Sequence, residues 1–393
     1  MRILLLILSL VFLGCKPATK NIFVRDTSVF KELLLPTPNS IRTGSGAPGV
    51  DYWQQRADHD VHVSLDTSTN TIIGSQTITY TNNSPDALSY IWLHLAQNIH
   101  RDDSIRSREG RSTGEKDYSG VSVSMLSVDG EQVEWHDYAT LAKVDLAKSL
   151  EPGRSLKMVV DWSFPMPTKA SLRMGYDDSF EAGPVWELAQ WIPVPAVYDD
   201  VYGWNARPYI GRGEFYTNFG DYKVSITVPR DHIVVASGSL TNPKDVLTEK
   251  QQDRLAAAME SDDVIAIISK DEVGEEGSRP EGDSDLTWKF EGENIRTFAW
   301  ASSASFILEA GSVEIVDLDG STRRVLCQAS YPVEAIEYWD EAVLYVQHAI
   351  KYYSEMLYPY PWPQMSVVRG RSGGMEYPMV IFCRGRSHEG LFN

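Results

Sequence analysis

The stretch GGMEYP, Gly373 to Pro378, follows a strand-like MSVVRG and precedes a strand-like MVIF. Two readings of it are open. It is a Gly-Gly turn joining two strands, or it is a glycine-containing edge strand against which something docks. Glycines in an edge strand remove the Cβ atoms that would keep another backbone away. An extended peptide can then add to that edge through main-chain hydrogen bonds. Glu376 at the end of such a groove would bind the peptide's α-ammonium group through a short, charge-assisted hydrogen bond. A carboxylate left unpaired in a closed site is costly, so the groove would select peptides with a free N-terminus. Pro378 suits an edge, where no ladder donor is needed.

Upstream of this stretch lies the strongest helical signal, VEAIEYWDEAVLYVQHAIKYYSEML, Val333 to Leu357. Ile336, Trp339, Val343, Val346, Ile350, Tyr353 and Leu357 recur at steps of three and four, which predicts one apolar face packed into a core. Pro332 stands at its start, and Pro359, Pro361 and Pro363 stop its continuation. Before it the pattern is β. From Asp60 to about Pro229, Val61, Val63 and Leu65 alternate with polar residues, as do Ile91, Leu93 and Leu95. YKVSITVP places Tyr222, Val224, Ile226 and Val228 on one face. Asp129-Gly130 marks a tight hairpin. Such strands indicate a sandwich or a curved, largely antiparallel sheet. Thr248 with Gln251 forms a capping box opening a helix through about Met259. An acidic stretch, DEVGEEGSRPEGDSD, reads as an exposed loop. Strands resume at Leu286 to Phe290 and around Val313 to Ala329. The long helix after so much sheet predicts a new, more helical domain beginning near residue 310 to 330.

A chain of 393 residues exceeds one ordinary core, which implies two or three domains. Hydrophobic residues at 42% place it among globular proteins. A formal charge of −18 excludes nucleic acid as a partner, because that requires a basic footprint. At the N-terminus, Met1-Arg2 precedes an apolar run from Ile3 to Leu13 that closes with Gly14-Cys15. That run is too short to span a bilayer, and its anatomy is that of a secretory signal. The cysteine directly after Gly14 makes it look like a bacterial lipoprotein signal, although Phe12 stands where leucine is more usual. Cleavage there would leave Cys15 as the lipidated first residue, with the segment to about Gly49 as a tether. An ordinary signal peptide with an incidental cysteine is the other reading.

Other chemical motifs fail on their spacing. His388-Glu389 begins like the zinc motif HExxH, but Phe392 occupies the second ligand position. His59 and His62 fall on opposite faces of a strand, a poor metal pair, and His94 reads as a strand histidine. No GxSxG elbow and no phosphate loop occurs. Ser237-Gly238-Ser239 reads as a strand end or turn. With Cys15 set aside, Cys327 and Cys383 remain, and their spacing does not reveal whether they pair.

GGMEYP resembles the GxMEN exopeptidase motif of the aminopeptidase N family, the gluzincin zinc aminopeptidases. The likeness extends to YTNNSPDALSYIWLHLAQN (Tyr80 to Asn98) and to AQWIPVPAVYDDVYGWN with GRGEFYTNFGDYKVSITVP, between Ala189 and Pro229. It continues through ENIRTFAWASSASFI (Glu293 to Ile307), the helix from Val333 and the YPYPWP turn, and so covers roughly residues 50 to 393. The resemblance implies a mainly β, saddle- or sandwich-like N-terminal domain over residues 50–308. The beginning of an α+β, thermolysin-like catalytic domain would follow over 309–393, after a signal at 1–14 and a tether at 15–49. It gives Glu376 the role of binding the substrate amino group, lines the peptide groove with the backbone of Gly373, Gly374 and Met375, and suggests Gln190 as a contribution from the β domain. Tyr377 departs from the family's asparagine, which bears on the first side-chain pocket. In the family HExxH follows GxMEN, so the zinc ligands and catalytic residues are expected beyond Asn393, and this chain alone is expected to be inactive.

The expectation is the N-terminal part of an exported zinc metallo-aminopeptidase acting on peptides with a free N-terminus, held as a periplasmic or cell-surface lipoprotein by a lipid at Cys15. The alternative is a non-catalytic, peptide-binding surface lipoprotein.

Overall fold

The computed structural model describes residues 38–111, 118–167, 172–275 and 277–384. Cys15 and the signal run, and His388-Glu389, lie outside them. Residues 38–52 and residues 53–384 belong to two separate compact units. In the first, the Asn39 side chain accepts the Ile41 and Arg42 amides at 2.9 and 2.8 Å, and Arg42 bridges to Pro48.

In the second unit the alternation read from the sequence becomes burial. Tyr222, Val224, Ile226 and Val228 are each at most 1% exposed. Val61, Val63 and Leu65 are buried with them, as are Ile91, Leu93 and Leu95. A one-residue slip would turn these faces to water, so the apolar pattern fixes the register. The largest sheet among the described residues has eight strands. From edge to edge they are Ser239–Leu240, Leu286–Ile295, Gly220–Val228, Arg56–Asp66, Thr71–Thr81, Ser155–Pro165, Ser122–Val128 and Glu131–Gln132. Arg56–Asp66 and Gly220–Val228 pair in parallel, and their other neighbours run antiparallel. The last two strands turn through Asp129 and Gly130, both with positive φ, as the Asp-Gly pair predicts.

Two four-stranded sheets follow. One orders Ile233–Ala236, Trp300–Ser303, Val185–Leu188 and Met174–Asp177; the other orders Val194–Pro195, Leu88–His94, Leu141–Leu150 and Trp135–Asp137. The helix Glu249–Met259 carries both halves of the Thr248–Gln251 capping box. Ser237 and Gly238 join two strands, and Gly238 is left-handed.

The C-terminal sheet is mixed and orders Ile265–Ile268, Phe306–Val316, Thr322–Pro332, Gln364–Gly370, Val380–Arg384 and Met375–Tyr377. Thr322–Pro332, Gln364–Gly370 and Val380–Arg384 run parallel to one another. A helix covers this sheet, but it is shorter than the sequence predicts. Val333–Ala335 is 3₁₀, Ile336–Trp339 a single turn, and the long helix only Ala342–Met356. The break falls at Glu341, whose φ of −100° and ψ of 5° leave the α region. Trp339, Val343 and Ile350 are buried as predicted, whereas Tyr353 and Leu357 are 57% and 75% exposed.

Cys327 and Cys383 are free thiols. Cys327 stands opposite Met365 and Cys383 opposite Arg369, four residues further along the same strand. At about 3.3 Å per residue that offset exceeds the reach of a disulfide.

Candidate functional site

GGMEYP divides into a connection and an edge. Gly373 and Gly374 precede the strand, which is Met375–Tyr377. Gly374 has φ of 70°, a left-handed turn conformation that suits glycine. A Cβ at Gly373 would stand 2.6 Å from that of Arg384. The expected glycine-softened edge is corrected on this point: the space that Gly373 leaves is taken by the chain's own Arg384. The reversal into Val380–Arg384 occurs instead at Pro378-Met379, where Met379 has φ of 64°.

Met375–Tyr377 is the terminal strand of its sheet and is bonded on one side, to Val380–Arg384. Strand alternation buries Met375 and Tyr377 and leaves Glu376 exposed. Among the described residues Glu376 forms no ion pair. It stands opposite Ile381 and shares its face with Cys383, whose thiol is pushed up to about 11 by burial and by the charges of Glu376 and Glu187. Among the described residues nothing pairs with the outer side of the strand, which offers its main-chain groups beside an exposed carboxylate.

The β part of the chain holds both ends of this segment. Gln190 has φ of 51°, rare for a residue with a side chain. Its Oε1 accepts the Tyr377 hydroxyl at 3.4 Å, and its Nε2 is buried without a partner. Burial pushes the Tyr377 hydroxyl above its ordinary value, so it stays protonated and can donate. Phe215 packs against the same ring at 5.8 Å. Beside Gln190 lies a cavity of about 600 Å³, lined in part by Trp191, Ile192, Tyr209, Phe298, Arg207 and Arg212. His94 also lines it, and burial pushes that imidazole down to about 4, which keeps it neutral.

At the other end stands Glu187, in the wholly buried strand Val185–Leu188. Its Oε2 accepts the amides of Arg371 and Ser372 at 2.9 and 2.8 Å, and its Oε1 has no hydrogen-bond partner. Burial pushes the carboxyl up to about 7 against the pull of those amides. A Cβ on Gly370 would lie 1.6 Å from Oε1, so only glycine lets the backbone come this close. In the same strand as Gly370, Arg369 pairs with Asp177 at 3.1 Å and lies over the Phe180 ring.

Of the expected residues, the structure joins Gln190 to the GGMEYP segment through Tyr377 and places Gly373, Gly374, Met375 and Glu376 in one continuous run. Sequence reading missed Glu187 and Gly370. A lone acid inside the apolar VWEL run was the available signal, since a charge in a buried strand requires a partner. His59 and His62 do point to opposite faces: His59 is buried on Tyr222 and His62 is exposed. Among the described residues no group of three or more His, Cys, Asp or Glu side chains is placed to hold a metal. These described residues do not fit a zinc ion.

No family model and no curated protein matches the sequence. In structure the chain is similar to a point mutant of an M1 zinc metallopeptidase from Deinococcus radiodurans bound to a Tyr-Ser-Ala substrate. The TM-score is 0.49 at 16% identity, over 87% of this chain and 63% of that one. It is also similar to a two-domain M1 zinc metallopeptidase mutant bound to L-arginine, with a TM-score of 0.47 at 16% identity, over 84% and 60%. The chain thus spans less than two thirds of the length of these solved structures.

Proposed function

We propose that the chain is the N-terminal portion of a zinc metallo-aminopeptidase, in which Met375–Tyr377 pairs with an extended peptide and Glu376 binds its free α-amino group. The observation that carries this is a strand that, among the described residues, is bonded on one side only and carries an exposed carboxylate without an ion pair at its centre. Main-chain pairing tolerates many sequences, and a carboxylate at a fixed register selects the peptide's first residue by its charge. Gly373, Gly374 and Met375 would line the approach, and Gln190 would hold the strand through Tyr377. Residues 50–308 would form the family's β domain and 309–393 the start of its α+β catalytic domain. The zinc ligands would come from residues beyond Asn393, and a lipid on Cys15 would anchor the protein outside the cytoplasm.

The test is peptide affinity of the full chain, wild type against Glu376→Gln, with one short peptide carrying a free or an acetylated N-terminus. The free-amine peptide should bind about ten-fold less tightly to the variant, the range of a charge-assisted hydrogen bond, while the acetylated peptide binds both alike. Equal affinities of both proteins for the free-amine peptide would discard the role of Glu376.

A further inference from the structure

We propose that Glu187 is the positioning residue of the peptide-pairing edge: its carboxyl group grips the Arg371 and Ser372 amides and so sets where Met375–Tyr377 stands. The consequence for peptides rests on the reading above; the grip itself rests on geometry alone. The carboxyl projects from a strand whose register partners at this position are Gly175 and Ala301, two small residues. Gly370 occupies the resulting slot, and the next two amides turn onto Oε2. The connection then runs through Gly373 to Gly374, whose left-handed turn leads into the strand Met375–Tyr377. The side chain of a distant strand therefore holds the amides of this connection, while Arg384 of its own sheet donates to the Arg371 carbonyl at 3.2 Å.

The surroundings make this grip depend on protonation. Arg369, paired with Asp177, faces the carboxyl from the strand Gln364–Gly370, and Cys383 faces it from Val380–Arg384. Arg371 offers its amide while its side chain is exposed, Glu376 lies further out on the edge, and the strand Trp300–Ser303 contributes no charged group. A carboxylate accepts amide hydrogen bonds more strongly than a carboxylic acid. Burial opposes that ionised form, so the group changes state near neutrality. Opening of the connection returns the carboxyl to water and to its ordinary range, so the grip on Arg371 and Ser372 loosens as pH rises through neutrality.

The experiment is amide hydrogen exchange at Arg371 and Ser372 in the full chain, as protection factors from about pH 5.5 to 8.5, with wild type and Glu187→Gln compared. Protection in wild type should fall about ten-fold as pH rises across the range, and in Glu187→Gln it should stay within about two-fold, because the amide side chain accepts but does not titrate. The same slope in both proteins would overturn the proposal. Should Glu187→Gln fail to fold, Glu187→Asp decides: a shortened carboxylate should lower protection at every pH and keep the slope, and undiminished protection contradicts the grip. Affinity for N-acetylated tetra-alanine, which has no amine to titrate, should follow the same pH dependence in wild type. If that peptide fails to bind while the exchange slope persists, the peptide reading falls and the role of Glu187 stands.

Discussion

Gly370 lies so close to Glu187 that a methyl carbon added to its backbone would stand 1.6 Å from Oε1. The contact couples a strand of the β part to the connection leading into the edge, 183 residues later. Gly370→Ala should therefore destabilise the chain by about 1–3 kcal/mol, the usual cost of overpacking. Combined with Glu187→Ala, which removes the obstructing atoms, the two losses should be less than additive by at least about 0.5 kcal/mol. Urea unfolding of the four proteins measures both quantities, and strict additivity would contradict the contact.

Tyr377→Phe removes one hydrogen bond, at 3.4 Å to Gln190, and leaves a buried amide unpaired on both atoms. The expected cost is about 1 kcal/mol. Tyr377→Ala also empties the space between Phe215 and Phe382 and should cost about 3–5 kcal/mol. Thermal or urea unfolding ranks them, and equal losses would show that the hydroxyl, not the ring, accounts for the whole effect.

Stability should respond to pH with two opposing slopes. Burial raises Glu187 from 4.5 to about 7, so the stability linked to it is full below about 4.5 and is lost as pH rises through about 7. Burial lowers His59 from 6.5 to about 4, so its contribution is full above about 6.5 and is lost as pH falls through about 4. His94 behaves likewise. Each shift is worth about 3 kcal/mol at its limit. The stability of wild type minus that of Glu187→Gln should fall between about pH 4.5 and 7, and a flat difference would contradict the buried carboxyl.

The two described cysteines should behave as thiols. Burial pushes Cys327 up to about 12, and burial with two nearby carboxylates pushes Cys383 up to about 11. Both should react slowly with iodoacetamide at neutral pH, Cys383 first because it is the less buried. A reductant should leave the unfolding temperature unchanged. A drop on reduction would show a bond between cysteines.

Much of this fold is legible in the sequence because its rules are local. The alternation at Tyr222–Val228 and the Thr248–Gln251 box each involve residues a few positions apart. The break at Glu341 was not legible, since one ψ near zero leaves the three-and-four pattern of apolar residues intact. Glu376 and Gln190 were legible as site candidates through a family likeness. Their link through Tyr377 was not, because it spans 187 positions. Glu187 escaped notice for the same reason: its partners at Arg371 and Ser372 are 184 and 185 positions away. The glycines of GGMEYP were read as room for a visiting chain, whereas the space at Gly373 belongs to Arg384.

The most direct measurement of the central claim is amide exchange at Met375, Glu376 and Tyr377 in the full chain, with and without a saturating short peptide bearing a free N-terminus. The account predicts that the outward-facing amides of this strand gain about ten-fold or more protection with the peptide, and much less with its acetylated form. Unchanged exchange along Met375–Tyr377, with protection appearing elsewhere on the chain, would contradict it.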